Sequence, residues 1–173
     1  NPTASADAYL IQSRGLDISK LKGMYTQEIF NNDFLFPDLY SATVRFEVTK
    51  DVFWERLIDR PERFGKRKAN ISGKFTGLYW TYHQKFDDLC ISKEVWLTEG
   101  IFNSIALSFS NITSAATLSS NNYPSKLLEA IKSRCEELKL KKLPTIVWAF
   151  DNDTSGRKAT LQYHLRAVEE GWV

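Results

Sequence analysis

The sequence predicts an α/β protein: a parallel sheet flanked by helices in the second half, preceded by a smaller α+β lobe built on antiparallel strands. Three observations predict this. From residue 94 onward, apolar runs of strand length alternate with stretches of helical period, and such an order folds into a parallel sheet through right-handed crossovers. Before residue 90, apolar and aromatic residues alternate with polar ones in short stretches, the pattern of half-buried antiparallel strands. The 173 residues, 43% apolar and 25% charged, suffice for one domain or two small lobes and exclude a disordered tail. The change of pattern predicts lobes at residues 1–90 and 91–173.

Taken in order, Asp7 to Ser13 predicts a short helix that ends at Arg14-Gly15. Thr43–Val48 and Val52–Ile58 predict a hairpin around Thr49, Lys50 and Asp51, although the second run is irregular enough for a short helix. Arg63 to Lys74, rich in Lys, Arg, Gly, Asn and Ser, predicts a loop leading into Phe75–Tyr82. Glu94–Thr98 is a strand, and Ile101, Phe102, Ile105, Ala106 and Phe109 form a helical stripe behind it. Ile112–Leu118 is a second strand of small and β-branched residues. Leu127, Leu128, Ile131, Cys135 and Leu138 mark an amphipathic helix with Pro124 near its first turn. Thr145–Phe150 is a continuous apolar run, which predicts a strand covered on both faces. A last helix over Ser155–Glu170 places Leu161, Leu165 and Val168 on one side and stops at Gly171.

The net charge of +2 says little, but its distribution says more. Between Trp54 and Lys74, seven basic residues face three acidic ones, so the positive charge is concentrated there. Arg56, Arg60, Lys66, Arg67, Lys68, Asn70 and Lys74 are the candidate contacts to nucleic-acid or nucleotide phosphate, with Gly65 and Gly73 flanking the densest run. Phe64, Phe75, Tyr79 and Trp80 are candidates for base stacking, but strand alternation is enough to explain them and favours reading them as core. Cys90 and Cys135 form no C-x-x-C pair and lie far from His83 and His164 in sequence, which argues against a zinc site; both histidines read as surface residues. No apolar run approaches the roughly 18 residues that span a bilayer, and no secretory signal opens the chain, so the expectation is a cytoplasmic protein without a membrane partner.

Ligands of parallel sheets bind at the carboxyl ends of the strands, and two predicted strands carry acids there. Glu99 follows the first, and Asp151 and Asp153 follow the third. Carboxylates brought close together repel unless a cation lies among them, and hydrated oxygen ligands suit Mg²⁺ or Mn²⁺. Each piece also has a plainer explanation, since Asp-x-Asp behind a strand serves as turn chemistry or a helix N-cap. Joint placement in one unit, with Thr154, Ser155 and Gly156 opening a helix, favours the metal reading.

These residues resemble the Toprim domain of bacterial-type primases and topoisomerases. The resemblance rests on Glu99-Gly100 followed by Phe102, Asn103, Ile105, Ala106 and Leu107, and on Phe150-Asp151-Asn152-Asp153-Thr154-Ser155-Gly156-Arg157-Lys158-Ala159. EGIFNSIAL and SGRKA resemble the primase branch, bacterial or phage-type, and so does the opening from Tyr9-Leu10 to Arg14-Gly15, together with Phe36-Pro37. The resemblance implies a primase catalytic core making RNA primers by metal-dependent nucleotidyl transfer. In it, Glu99 assists acid–base chemistry and metal binding, Asp151 and Asp153 bind Mg²⁺ or Mn²⁺, and Gly100, Gly156, Arg157 and Lys158 support the loops. It further implies a single-stranded DNA template, ribonucleoside triphosphates and a replicative helicase as partners.

The family's third acidic motif lies on the next strand, and Gly171-Trp172-Val173 falls where that strand begins. The expectation is a core truncated before that motif. Two alternatives stay open: another Toprim phosphodiester chemistry, nuclease or topoisomerase-like, although nothing beside Tyr123 or Tyr163 suggests an activated nucleophile, and a non-catalytic DNA-binding module of a mobile element.

Overall fold

The computed structural model describes residues 1–31 and 39–173, so Phe36-Pro37 lies outside the described residues. The described residues form two compact units, Asn1–Lys74 and Phe75–Val173, where periodicity placed the division after residue 90. Phe75–Tyr82 goes with the second unit because Trp80 makes an antiparallel bridge to Ala116, with N···O distances of 3.0 and 2.7 Å.

The first unit is an antiparallel sheet in the order β1 (Thr26–Phe30), β2 (Ser41–Thr49), β3 (Val52–Leu57), β4 (Ala69–Ser72), with helix α1 (Ala4–Gln12) packed on it. Ala6 and Leu10 of α1 are buried, as are Val44 and Phe46 of β2. The Ala6 N–H donates to Gln27 Oε1 at 2.9 Å, which ties the helix to β1. Arg14 Nε donates to Tyr9 Oη at 3.0 Å, so two residues of the opening motif clip the helix end together. Gly15 then turns the chain at φ 63°.

The hairpin forms as expected, and Val52–Leu57 is a strand, not a helix. The expected loop over Arg63–Lys74 is in part a strand. Pro61–Phe64 is one turn of 3-10 helix, and Ala69–Ser72 pairs with β3 as the edge strand β4. A four-residue edge strand needs only one paired side, which composition does not reveal.

The second unit is a parallel sheet in the order β6 (Ser114–Ala116), β5 (Glu94–Thr98), β7 (Thr145–Trp148). Its helices are α2 (Asp87–Ile91), α3 (Ile101–Phe109), α4 (Ser125–Glu137) and α5 (Thr154–Glu169). Leu97, Leu127, Leu128, Ile131 and Cys135 centre the core, with Tyr163, Ala167 and Trp172 closing it. Two expectations are corrected here. Leu161, Leu165 and Val168 are exposed, and the buried stripe of α5 is Gly156, Ala159, Tyr163 and Ala167. Small residues let the helix approach the sheet closely, and Tyr163 fills the remaining space against Trp148 and Phe150. β7 has only Ile146 buried, because among the described residues it pairs on one side with β5 and on the other through the Ile146 N–H to Val173 O bond of 2.9 Å alone.

Candidate functional site

β5 and β7 run parallel and adjacent, so the chain leaves both at the same end of the sheet. Glu99 follows β5 directly, and Asp151 to Asp153 lie between β7 and α5. The Asp151 N–H donates to Glu99 Oε1 at 3.2 Å, which joins the two acidic segments. Asp153 is the N-cap of α5, and its Oδ1 accepts from the Gly156 N–H at 2.7 Å. The plainer reading of the aspartates therefore holds for Asp153, whose other carboxylate oxygen remains available to a ligand.

Glu99 is held above the ordinary carboxylate range, first by burial and then by the negative charges of Asp151 and Asp153. Crowding of this kind is what a cation relieves. Among the described residues, no group of three or more His, Cys, Asp and Glu side chains is gathered into a ready metal cage. The donor set still fits a hard, partly hydrated cation. The Glu99 and Asp151 carboxyls are hydrogen-bond neighbours, Asp153 stands nearby, and all are oxygen donors whose sphere water completes.

The supporting positions differ in what they do. Gly156 is buried, and a Cβ on it would collide with the Asp151 carbonyl oxygen and stand 3.0 Å from Glu99 Oε1. Only glycine lets α5 start this close to the acids. Arg157 Nη1 donates to both Asn152 O and Asn152 Oδ1 at 3.1 Å, bracing the middle of the loop. Gly100 is the N-cap of α3, and a side chain there would meet nothing within 4 Å. Lys158 is exposed on α5.

The β6–α4 connection borders the same sheet end. The Thr117 N–H donates to Thr98 O at 2.8 Å, and Ser120 and Ser155 share a hydroxyl hydrogen bond of 2.9 Å. Asn122 accepts from the Gly77 N–H and donates to Leu78 O and Thr117 O, at 2.7, 2.9 and 2.8 Å. Sequence reasoning missed this clip, whose only signal is a buried-to-be Asn in a polar loop.

The basic candidates all belong to the first unit. Lys66, Arg67, Lys68 and Lys74 are exposed, and Arg67 lies 5.7 Å over the Phe30 ring. Arg60 is exposed at a left-handed φ of 45°. Arg56 is half-buried in β3. Asn70 is engaged internally, donating to Glu55 Oε1 at 3.1 Å. Glu55 is 1% exposed and also accepts from Thr43 Oγ1 at 2.8 Å and Arg45 Nε at 3.1 Å. Arg45, which sequence reasoning passed over, stacks 3.7 Å from the Phe53 ring.

Of the remaining candidates, Trp80 is buried, Tyr79 packs against the second unit's core and Phe64 packs edge-on against Phe30. His83, expected at the surface, is half-buried, lies 3.4 Å from the Ser114 N–H it accepts, and has its pKa lowered by burial. Tyr123 is buried, donates to Glu170 Oε2 at 2.7 Å, and is pushed up in pKa mainly by burial.

Residues 96–173 match the Toprim_2 family model, described as Toprim-like. No curated protein matches the chain in sequence. Among solved structures, the RNA polymerase domain of Mycobacterium tuberculosis primase DnaG matches with TM-score 0.67 at 12% identity, over 94% of this chain and 63% of that one. The zinc-binding and RNA polymerase domains of Aquifex aeolicus primase match with TM-score 0.61 at 15% identity, over 94% of this chain and 46% of that one. The chain thus spans less than two thirds of either solved chain, and at these identities the likeness is one of fold. With the acids and the matched segment coinciding, residues 96–173 are similar to the Toprim-like family, in a chain whose fold is similar to that of primase RNA polymerase domains.

Proposed function

We propose that the chain is a primase-type nucleotidyltransferase core that joins ribonucleotides on single-stranded DNA. One observation carries this reading: Glu99 and the Asp151–Asp153 loop are tied together at the end of a parallel sheet, with Glu99 raised in pKa by burial and by both aspartates. Glu99, Asp151 and Asp153 hold a divalent cation, Mg²⁺ or Mn²⁺. When bound, that cation supplies charge neutralisation and orientation of a triphosphate.

The chain's own residues do the rest. Glu99 sits where a raised carboxyl accepts a proton from a 3′ hydroxyl. Gly156 and Arg157 hold the loop so that its carboxylates stay at the sheet end. Arg60, Lys66, Arg67, Lys68 and Lys74, with Arg56 at the strand, supply phosphate contacts for template or nucleotide, while Asn70 acts as a structural partner of Glu55.

A topoisomerase-like reading is disfavoured by Tyr123, whose hydroxyl is engaged by Glu170 and held protonated. The test is incorporation of labelled ribonucleotides on a single-stranded DNA template with Mg²⁺ or Mn²⁺. The expected result is metal-dependent product that Glu99→Ala and Asp151→Ala each reduce at least 100-fold. Product undiminished in both variants overturns the assignment, and DNA cleavage without ribonucleotides favours nuclease chemistry instead.

A further inference from the structure

The mechanism above leaves two nucleophilic groups unused. Cys90 on α2 and Cys135 on α4 are each 2% exposed and belong to one apolar cluster. Their helices pack together and are pinned at the adjoining positions, where Arg134 Nε and Nη2 reach Asp87 Oδ1 and Oδ2 at 2.7 and 3.0 Å. Arg134 immediately precedes Cys135, Asp87 lies one helical turn before Cys90, and in the shared cluster the two thiols are hydrogen-bond neighbours. Burial, followed by the neighbouring Cys135 thiol, pushes the Cys90 thiol up to about 12. In the closed fold the Cys90 thiol is therefore protonated and unreactive.

We propose that Cys90 and Cys135 form an oxidisable dithiol, a modification site that a low-molecular-weight disulfide closes into a cross-link between α2 and α4. Access comes from α2, which has only five residues, and short elements of this kind open locally without global unfolding. Once exposed, Cys90 loses its proton to solvent, and its thiolate attacks one sulfur of the small disulfide, releasing one small thiolate. Cys135, likewise deprotonated, attacks the Cys90 sulfur of the mixed disulfide and releases the second. The protein loses two electrons and two protons, and the small disulfide is reduced to two thiols. The new loop encloses β5, α3 and β6, and with them Glu99, so oxidation stiffens the unit that carries the acidic site.

The experiment exposes the folded full chain to oxidised glutathione, then alkylates with N-ethylmaleimide in denaturant and measures intact mass. The expected product is a monomer without maleimide or glutathione, about two mass units lighter than the reduced chain and restored by dithiothreitol. Its melting temperature rises by about 5 °C or more. Cys135→Ala, checked for folding by circular dichroism, is expected to stop at one glutathione adduct on Cys90. Retention of both alkylatable thiols, a glutathione on each cysteine, or interchain dimers in the unsubstituted chain would overturn the proposal.

Discussion

At the residue scale, Glu99 gives the site a pH signature. Its carboxyl is raised from 4.5 in the folded chain, so the folded state binds the proton more tightly than the unfolded state does. Stability contributed by the protonated group is fully present below 4.5 and is lost as pH rises through the higher folded value. Glu99→Gln keeps an acceptor for the Asp151 N–H while removing the charge. The variant is expected to melt at or above the temperature of the unsubstituted chain at pH 7, and to lose this fall with pH, in thermal scans between pH 4 and 7. Gly156→Ala drives a methyl into the Asp151 carbonyl and is expected to cost about 1–3 kcal/mol in urea unfolding. The acids themselves were legible in the sequence because each follows an apolar run. The Asp151 N–H bond to Glu99 was not, because it depends on how β5 and β7 are aligned.

At the scale of the element, Asp153 caps α5 and is proposed to hold the cation, and substitution separates the two. Asp153→Ala removes the cap of α5 and is expected to cost about 1 kcal/mol, whereas Asp153→Asn retains the cap within a few tenths of a kcal/mol. Urea unfolding distinguishes the two, while metal affinity is expected to fall in both. In the first unit, Glu55→Ala takes away the shared acceptor of Thr43, Arg45 and Asn70. Its expected cost is about 2–4 kcal/mol by the same measurement. That network was open to a sequence reading, since a turn centred on Lys50 sets Arg45 opposite Glu55. The exposed stripe of α5 was not. Leu161, Leu165 and Val168 satisfy helical spacing as well as Ala159, Tyr163 and Ala167 do, and only the close approach to the sheet selects the smaller set. β4 escaped notice for a related reason: Ala-Asn-Ile-Ser has loop composition, and its strand character comes from pairing with β3.

At the scale of the whole molecule, charge is divided between a basic segment in the first unit and an acidic sheet end in the second. The modest net charge of +2 conceals this division. Among the described residues, no helix is long and apolar enough to cross a membrane. Binding to single-stranded DNA is expected to weaken with salt, and replacing Lys66, Arg67 and Lys68 together with alanine is expected to lower the log–log salt slope by about 2. Fluorescence anisotropy across a salt series measures this directly. Glu99, Asp151 and Asp153 are proposed to act together on one divalent cation, which Mn²⁺ titration of the chain followed by electron paramagnetic resonance reads out. A bound Mn²⁺ is expected, with an affinity that falls at least tenfold in Glu99→Ala and in Asp151→Ala. Equal Mn²⁺ affinity in the unsubstituted chain and both variants would contradict it.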